Sequence, residues 1–542
     1  MRSIIHYLHN YSFIALSCWL SGCYSCSKPE GNTDACIEQT DTETDSDSDT
    51  GTDSDTNTEI DSDTDTGTDL DTDTGTDTDI NNFPGLTVVK QTATGASGLG
   101  LQDYYGSSVA NIGDIDGDDI PDIMVGAPGD DDSASGAGTN NGAVYIQFMR
   151  ADGTVKEYTK LSNLSGGASG EGFGGVIPNY ADFGSSVTGI GDINGDNVPD
   201  VAVGAPFDDY YKGAVWILML NDDGTVADYF TIRDDIGTAM EGLLEGYSAF
   251  GASLAKLEDL LGGVKLAVGA YADIVGCTEV DNKQTCGAIW TMDVYADGTV
   301  ETIKRIGMGS ENNPDLPLEA KDYFGYAMSS LCDFNGDSVA DLIVSAVGDD
   351  DGGDGKGAVY LLMMNSSGAV DSFMKISDTS GKFIAELGDD NFGYSVCGLE
   401  DVDGDDVLDI AVGVPEYDDG KGGYWILLLN EDGTVKNHVL FSDGTAGITL
   451  GTFYEDDMAG SALTMADLDT TDGVFDIVVG AKGYSISEGT TWTFRTKAPV
   501  QKVQDIPSVT VAEGEVKMRY SLPSARRCPR PCRRTCAKRW DL

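Results

Sequence analysis

The chain has 542 residues, 70 of them glycine, and its 92 Asp and Glu stand against 32 Lys and Arg for a formal net charge of -60. This balance excludes nucleic acid and an anionic membrane surface as partners, because phosphate recognition needs dense positive charge. Of three histidines, His6 and His9 fall in the first ten residues, which leaves His438 alone beyond them and excludes a histidine zinc cluster.

Arg2 precedes an apolar run over residues 11–20, short for a bilayer span but suited to an export signal. The run ends in Leu20-Ser21-Gly22-Cys23, which resembles the lipobox of bacterial lipoproteins. That resemblance implies a signal peptide over 1–22 and lipidation of Cys23. With Tyr24 following, it also implies an outer-membrane or cell-surface lipoprotein that meets the membrane through its lipid anchor only. An ordinary secretory signal, and a secreted protein, is the alternative. Residues 23–82 are expected to form a disordered tether: from Thr40 to Ile80 they are almost entirely Asp, Thr, Ser and Gly, with no apolar period. At about 3.4 Å per residue, such a tether can hold the next domain on the order of 100 Å from the lipid.

Residues 83–506 repeat. Tyr105-Gly106-Ser107-Ser108-Val109 returns as Phe183-Gly184-Ser185-Ser186-Val187, and then from Phe250, Phe324 and Phe392, with a worn sixth copy at Ala459-Gly460-Ser461-Ala462-Leu463. Each is followed by a short apolar run such as Asp122-Ile123-Met124-Val125-Gly126-Ala127-Pro128. In most copies an Asp-rich loop lies between. A third apolar strand such as Gly142-Ala143-Val144-Tyr145-Ile146 follows, then an Asp-Gly turn and an alternating strand, as in Ala151-Asp152-Gly153-Thr154-Val155. The pattern predicts an all-β fold: a β-propeller of four-stranded antiparallel blades, each burying its faces against its neighbours. Six repeats are legible. Residues 86–92 and 500–506 both look like a fourth strand, so seven blades are favoured over six if 508–521 supplies the rest of a closing blade.

The Asp-rich loops have a ligand pattern. In Asp114-Ile115-Asp116-Gly117-Asp118-Asp119-Ile120-Pro121-Asp122, the carboxylates at positions one, three, five and nine can converge on a hard cation that takes six to eight oxygens. Ile120 at position seven would add its backbone carbonyl. The pattern recurs at Asp192, Asn194, Asp196, Val198 and Asp200, and at Asp333, Asn335, Asp337, Val339 and Asp341. A fourth copy is Asp401, Asp403, Asp405, Val407 and Asp409. The third repeat departs from it, with Glu258-Asp259 and then Lys265, where a cation would be repelled. The sixth carries one extra residue among Asp467, Asp469, Asp472 and Asp476, a doubtful fifth site.

These repeats resemble FG-GAP repeats, the blade motif of integrin-α propellers, over about 420 residues. The resemblance implies Ca2+ in the Asp-rich hairpins, about four ions in all. It also implies a binding or adhesion function for a protein or glycan ligand on the face opposite the hairpins. In an up-and-down blade, strand order places the calcium loops and Asp-Gly turns on one face. The loops at Asp130-Asp131-Asp132, Asp208-Asp209-Tyr210-Tyr211, Asp349-Asp350-Asp351 and Tyr417-Asp418-Asp419 lie on the other. No carboxylate pair is singled out for catalysis, so no enzyme activity is expected; a polysaccharide-degrading propeller is the alternative. Cys277 and Cys286 can close a loop if oxidised, whereas Cys332 and Cys397 read as buried thiols. Residues 507–542 combine a possible closing hairpin with an anomalous basic tail containing Cys528, Cys532 and Cys536.

Overall fold

The computed structural model describes residues 87–89 and 99–495, apart from 101, 132–138, 167–172, 174, 236–237, 278–284, 354, 384, 386, 389, 446–452, 469–475 and 485–487. The expected signal, Cys23, the tether and the basic tail lie outside these residues.

Apolar runs bounded by glycine and aspartate form the strands. Blade 1 consists of Ser108–Gly113, Asp122–Ala127, Ala143–Met149 and Val155–Leu161, in sequence order and antiparallel throughout. Blades 2 to 5 repeat this order within residues 186–232, 254–307, 324–376 and 396–442. Blade 6 takes Ala459–Ala466, Asp476–Ala481 and Thr490–Arg495 from its own repeat and its fourth strand, Thr87–Val89, from the other end of the propeller. Thr87 pairs with Arg495 and Val89 with Thr493 in the backbone register.

This corrects the seven-blade expectation. Thr87–Val89, within the expected fourth-strand segment, completes the sixth sheet and leaves the described residues with six blades of four strands. Pairing it with Thr490–Arg495 covers an edge that would otherwise be open, and it ties the two ends of the ring together. The first strand of blade 6 packs on that of blade 1. Gly489 and Tyr105 bridge the same junction, with the Tyr105 amide 3.2 Å from the Glu488 carbonyl.

Six hydrophobic clusters fill the six junctions between neighbouring blades. The second and third strands of blade 1 are buried along their whole length, whereas Val155–Leu161 at the rim exposes Lys156 and Glu157 and is half-buried over most of the rest. Middle strands are covered on both faces, so they read as continuous apolar runs, and only the outermost strand shows an amphipathic pattern.

The recurring glycines have a packing reason. A Cβ on Gly126 would stand 1.9 Å from the Gly184 carbonyl oxygen of the next blade, and Gly184 itself sits at φ +94°. Blades therefore meet backbone to backbone near the axis, where a side chain has no room.

Asp208–Tyr211 and Tyr417–Gly420 are single helical turns, and among the described residues no helix is long and apolar enough to cross a membrane.

Candidate metal centres and the opposite face

Each Asp-rich loop joins the first and second strands of its blade, and four of them share one construction. The position-one carboxylate folds the loop around itself. Asp114 accepts the amides of Gly117, Asp118 and Asp119 at 2.7, 3.0 and 2.9 Å. Asp192 accepts those of Gly195, Asp196 and Asn197 at 2.6, 3.1 and 2.9 Å, and Asp401 those of Gly404, Asp405 and Asp406 at 2.6, 3.0 and 2.7 Å. Asp333 holds Gly336 and Ser338 at 2.7 and 2.9 Å. The position-five carboxylates of Asp118, Asp196, Asp337 and Asp405 each accept the amide of the position-seven residue: Ile120, Val198, Val339 and Val407. The side chains of these four pack on the junction clusters and anchor the loop.

One requirement escaped the sequence reading. Besides the glycine at position four, position six is left-handed: Asp119, Asn197, Ser338 and Asp406 have φ of 66°, 72°, 73° and 68°. Short polar side chains tolerate that region best, and the Asp, Asn or Ser found there in every copy was the available signal.

Position nine plays a separate part. Asp122, Asp200, Asp341 and Asp409 are at most 1% exposed. Asp200 accepts the Ile193 and Leu220 amides at 2.9 and 3.1 Å, and Asp122 those of Ile115 and Met149, both at 2.9 Å. These residues bolt the loop to the third strand. Burial pushes all four carboxyls up to about 7, against the pull of those amides.

The donor set fits a hard cation. Ligand oxygens of Asp114, Asp116 and Asp122 all lie within 4.8 Å of one another, as do those of Asp401, Asp403 and Asp405. Asp116 Oδ1 is buried without a hydrogen-bond partner. In the other two loops Asn194 and Asn335 turn Nδ2 to Asp196 and Asp337, at 2.9 and 3.1 Å.

Blade 3 departs as its sequence indicates. Lys265 stands where the other blades have the position-nine Asp, opposite Asp293 in the strand register, with Nζ 2.5 Å from its carboxylate. In blade 6 Asp476 is buried at the head of its strand, and Asp467 lies just beyond the preceding one; Asp469 and Asp472 are outside the described residues.

On the opposite face the acidic loops are less free than their composition suggests. The first acid of each sinks to 1–3% exposure and meets a cation: Asp130 with Lys160 at 2.7 Å, Asp349 with Lys375 at 2.6 Å and Asp208 with Arg233 at 3.8 Å. Asp273 of blade 3 pairs with Arg305 at 2.8 Å. In blade 5 Tyr417 and Leu440 replace both partners and pack on the junction cluster. Burial pushes Asp103 up to about 6 and Asp322 up to about 7 beside these pairs. A cleft of about 490 Å³ opens at blade 4, lined by Pro317, Glu319, Asp322, Asp349, Phe373 and Lys375 among others.

Nearer the axis on this face, Tyr271, Tyr326 and Tyr394 form a row across blades 3, 4 and 5, with ring centroids 5.3 and 5.2 Å apart. Lys482 of blade 6 continues the row, its Nζ 4.4 Å from the Tyr394 ring centroid and hydrogen-bonded to the hydroxyl. Burial raises the Tyr326 hydroxyl; at Tyr394 burial is outweighed by Lys482, which holds that hydroxyl below its usual value. Tyr326 and Tyr394 share one repeat position, directly after the Phe-Gly pair, and Tyr271 and Lys482 share another, directly after the second strand, but no local pattern shows that successive blades bring the two positions into one row.

His438 is half-buried rather than on an open strand surface, edge-on to Phe383 and Trp425 at 5.1 and 5.3 Å. Burial lowers its pKa. Cys277 and Cys286 form a disulfide; Cys397 is a buried thiol, whereas Cys332 is half-buried, just beyond the strand Phe324–Ser330.

Comparison with known proteins agrees with this architecture. The FG-GAP repeat family model matches residues 105–146, 183–218, 324–362 and 392–427, the four blades with intact Asp-rich loops. The chain is 32% identical to integrin alpha-11 of Homo sapiens over 186 residues, 33% of this chain and 13% of that protein. It is 33% identical to integrin alpha-PS2 of Drosophila melanogaster over 184 residues, 32% of this chain and 12% of that protein. With integrin alpha-6 of Gallus gallus it shares 33% identity over 177 residues, 33% of this chain and 14% of that protein. The chain thus spans about an eighth of the length of the relatives it matches. The chain therefore carries FG-GAP repeats at four of its six four-stranded blades, and its β-propeller resembles that of the integrin α chains.

Proposed function

We propose that the protein is a calcium-braced binding module displayed outside the cell, with a protein or glycan ligand docking on the face opposite the metal loops. The observation that carries the calcium assignment is the fourfold recurrence of one loop, with an all-oxygen donor set and backbone amides already spent on positions one and nine. Asp114, Asp116, Asp118, the Ile120 carbonyl and Asp122 would hold the ion in blade 1. The matching residues would do so in blades 2, 4 and 5. Bound there, calcium would neutralise carboxylates that repel one another by roughly 1 kcal/mol per pair even in water. At a hundred times its dissociation constant it would stabilise the fold by about 2.7 kcal/mol per site. The test is thermal unfolding with calcium and with excess EDTA; superimposable melts would remove the assignment.

Ligand binding on the opposite face is supported by the loops gathered there, the cleft at blade 4 and the tyrosine row ending at Lys482. The integrin α similarities favour a protein ligand. A protein and glycan array probed with and without calcium tests this reading. Retention abolished by Tyr326→Ala and Tyr394→Ala would locate the ligand; retention unaffected by both would move it elsewhere. Display through a diacylated Cys23 is tested by mass spectrometry of the mature N-terminus and by release of a Cys23→Ala variant into the medium.

A further inference from the structure

The repeat makes each blade a control for the others. At the second residue of the fourth strand, equivalent register places Lys156 in blade 1, Ala227 in blade 2, Glu301 in blade 3, Asp371 in blade 4 and Lys436 in blade 5. The two lysines occur in the two blades whose loops carry Asp at both positions three and six: Asp116 and Asp119, and Asp403 and Asp406. Blades 2 and 4, with Asn194 and Asn197 or Asn335 and Ser338 there, lack the lysine.

Geometry gives the correlation a reason. Lys156 Nζ lies 2.6 Å from Asp116 Oδ2 and 3.6 Å from Asp118 Oδ2. Lys436 Nζ lies 2.6 Å from Asp403 Oδ2 and also bonds the Asp405 carboxylate. In blades 2 and 4 the Asn194 and Asn335 amides serve the position-five carboxylates instead. Blade 3 carries the substitution furthest, with the Lys265 ammonium at position nine and Asp293 as its partner.

We propose that Lys156 and Lys436 are built-in counter-cations, which hold the loops of blades 1 and 5 when no divalent ion is bound and compete with calcium for their carboxylates. The inference rests on the calcium reading above. Whatever stabilises the ion-free loop lowers its affinity for the ion by the same factor. A lysine on a flexible four-carbon stem can leave for solvent as the ion enters, and both side chains keep about a third of their surface exposed. Blades 1 and 5 are then the exchangeable sites, able to lose calcium without collapse, while blades 2 and 4 have only an asparagine amide to fall back on.

The experiment uses the full chain, stripped with chelator, titrated calorimetrically with calcium alone, and melted with and without it. Lys156→Met/Lys436→Met is expected to raise the calcium affinity of two sites about tenfold, the scale of losing a like charge a few ångströms from a divalent ion. It should lower the melting temperature of the ion-free protein and leave the calcium-loaded melt nearly unchanged. Ala227→Lys, a surface change that leaves the wild-type lysines in place, should weaken one site and raise the ion-free melt. Affinities unchanged or lowered in the double variant, or an Ala227→Lys site that is not weakened, would overturn the proposal. No calcium uptake by the wild type would instead overturn the calcium reading beneath it. A double variant that fails to fold only when stripped of calcium supports the counter-cation role, and one that fails even with calcium overturns it.

Discussion

The Ser186 hydroxyl of blade 2 donates a 2.7 Å hydrogen bond to the carbonyl of Gly251, the glycine that opens blade 3. The same link joins Ser108 to Gly184, Ser253 to Gly325 and Ser395 to Gly460, at 2.7 to 2.8 Å. It is a polar stitch that recurs between successive blades beside their apolar contact. Ser186→Ala should cost about 1 kcal/mol, the net worth of one buried hydrogen bond, seen as a modest fall in melting temperature. Gly204→Ala should prevent folding, because its Cβ would stand 1.9 Å from the Gly251 carbonyl oxygen.

Positions five and nine of the loops should separate by their metal dependence. Asp200→Ala strands the buried amides of Ile193 and Leu220, at about 1–3 kcal/mol each, so it should lower the melt even in excess EDTA. Asp196→Asn keeps an oxygen for the Val198 amide but removes a charge and the acceptor of the Asn194 amide, so its effect should be larger when calcium is present. Differential scanning calorimetry of both variants, with and without chelator, distinguishes the roles.

Asp322 gives a pH signature. Burial raises its folded carboxyl from 3.8 to about 7, so the native state binds the proton more tightly than the unfolded chain. Its contribution is therefore full below about pH 4 and is lost as pH rises to about 7, each tenfold displacement being worth about 1.4 kcal/mol. Asp322→Asn should match the wild type near pH 4 and exceed it in stability at pH 8. Melts across that range at fixed calcium check the sign, and a variant less stable at pH 8 would contradict it.

Blade 5 supplies the repair for a broken ion pair in blade 4. Lys375→Leu leaves Asp349, 2% exposed, without its cation and should cost about 3–5 kcal/mol. Asp349→Tyr/Lys375→Leu installs the Tyr417 and Leu440 combination of blade 5 and should recover most of that loss. A double-mutant cycle on denaturant midpoints measures the coupling.

The repeat itself was legible in the chain, because the features that define it are local. An aromatic-glycine pair, alternating acids, a glycine-alanine run and an Asp-Gly turn each answer to backbone conformation or to coordination within a dozen residues. Even the failure of the third loop could be read, since Lys265 reverses the charge of a position that is Asp in the blades with intact loops. What tertiary structure alone decided joins residues far apart in the chain. Thr87–Val89 closes blade 6 rather than beginning a seventh because strand pairing is chosen by an open sheet edge, which no local pattern encodes. Gly126 needs its missing side chain for the sake of Gly184, one blade away. Lys156, on the fourth strand, meets Asp116, 40 residues earlier, only because the folded blade brings the two together. Tyr271, Tyr326, Tyr394 and Lys482 share a neighbourhood only because the ring brings successive blades together. Local chemistry fixed what each blade is, and closure of the ring decided what the blades do to one another.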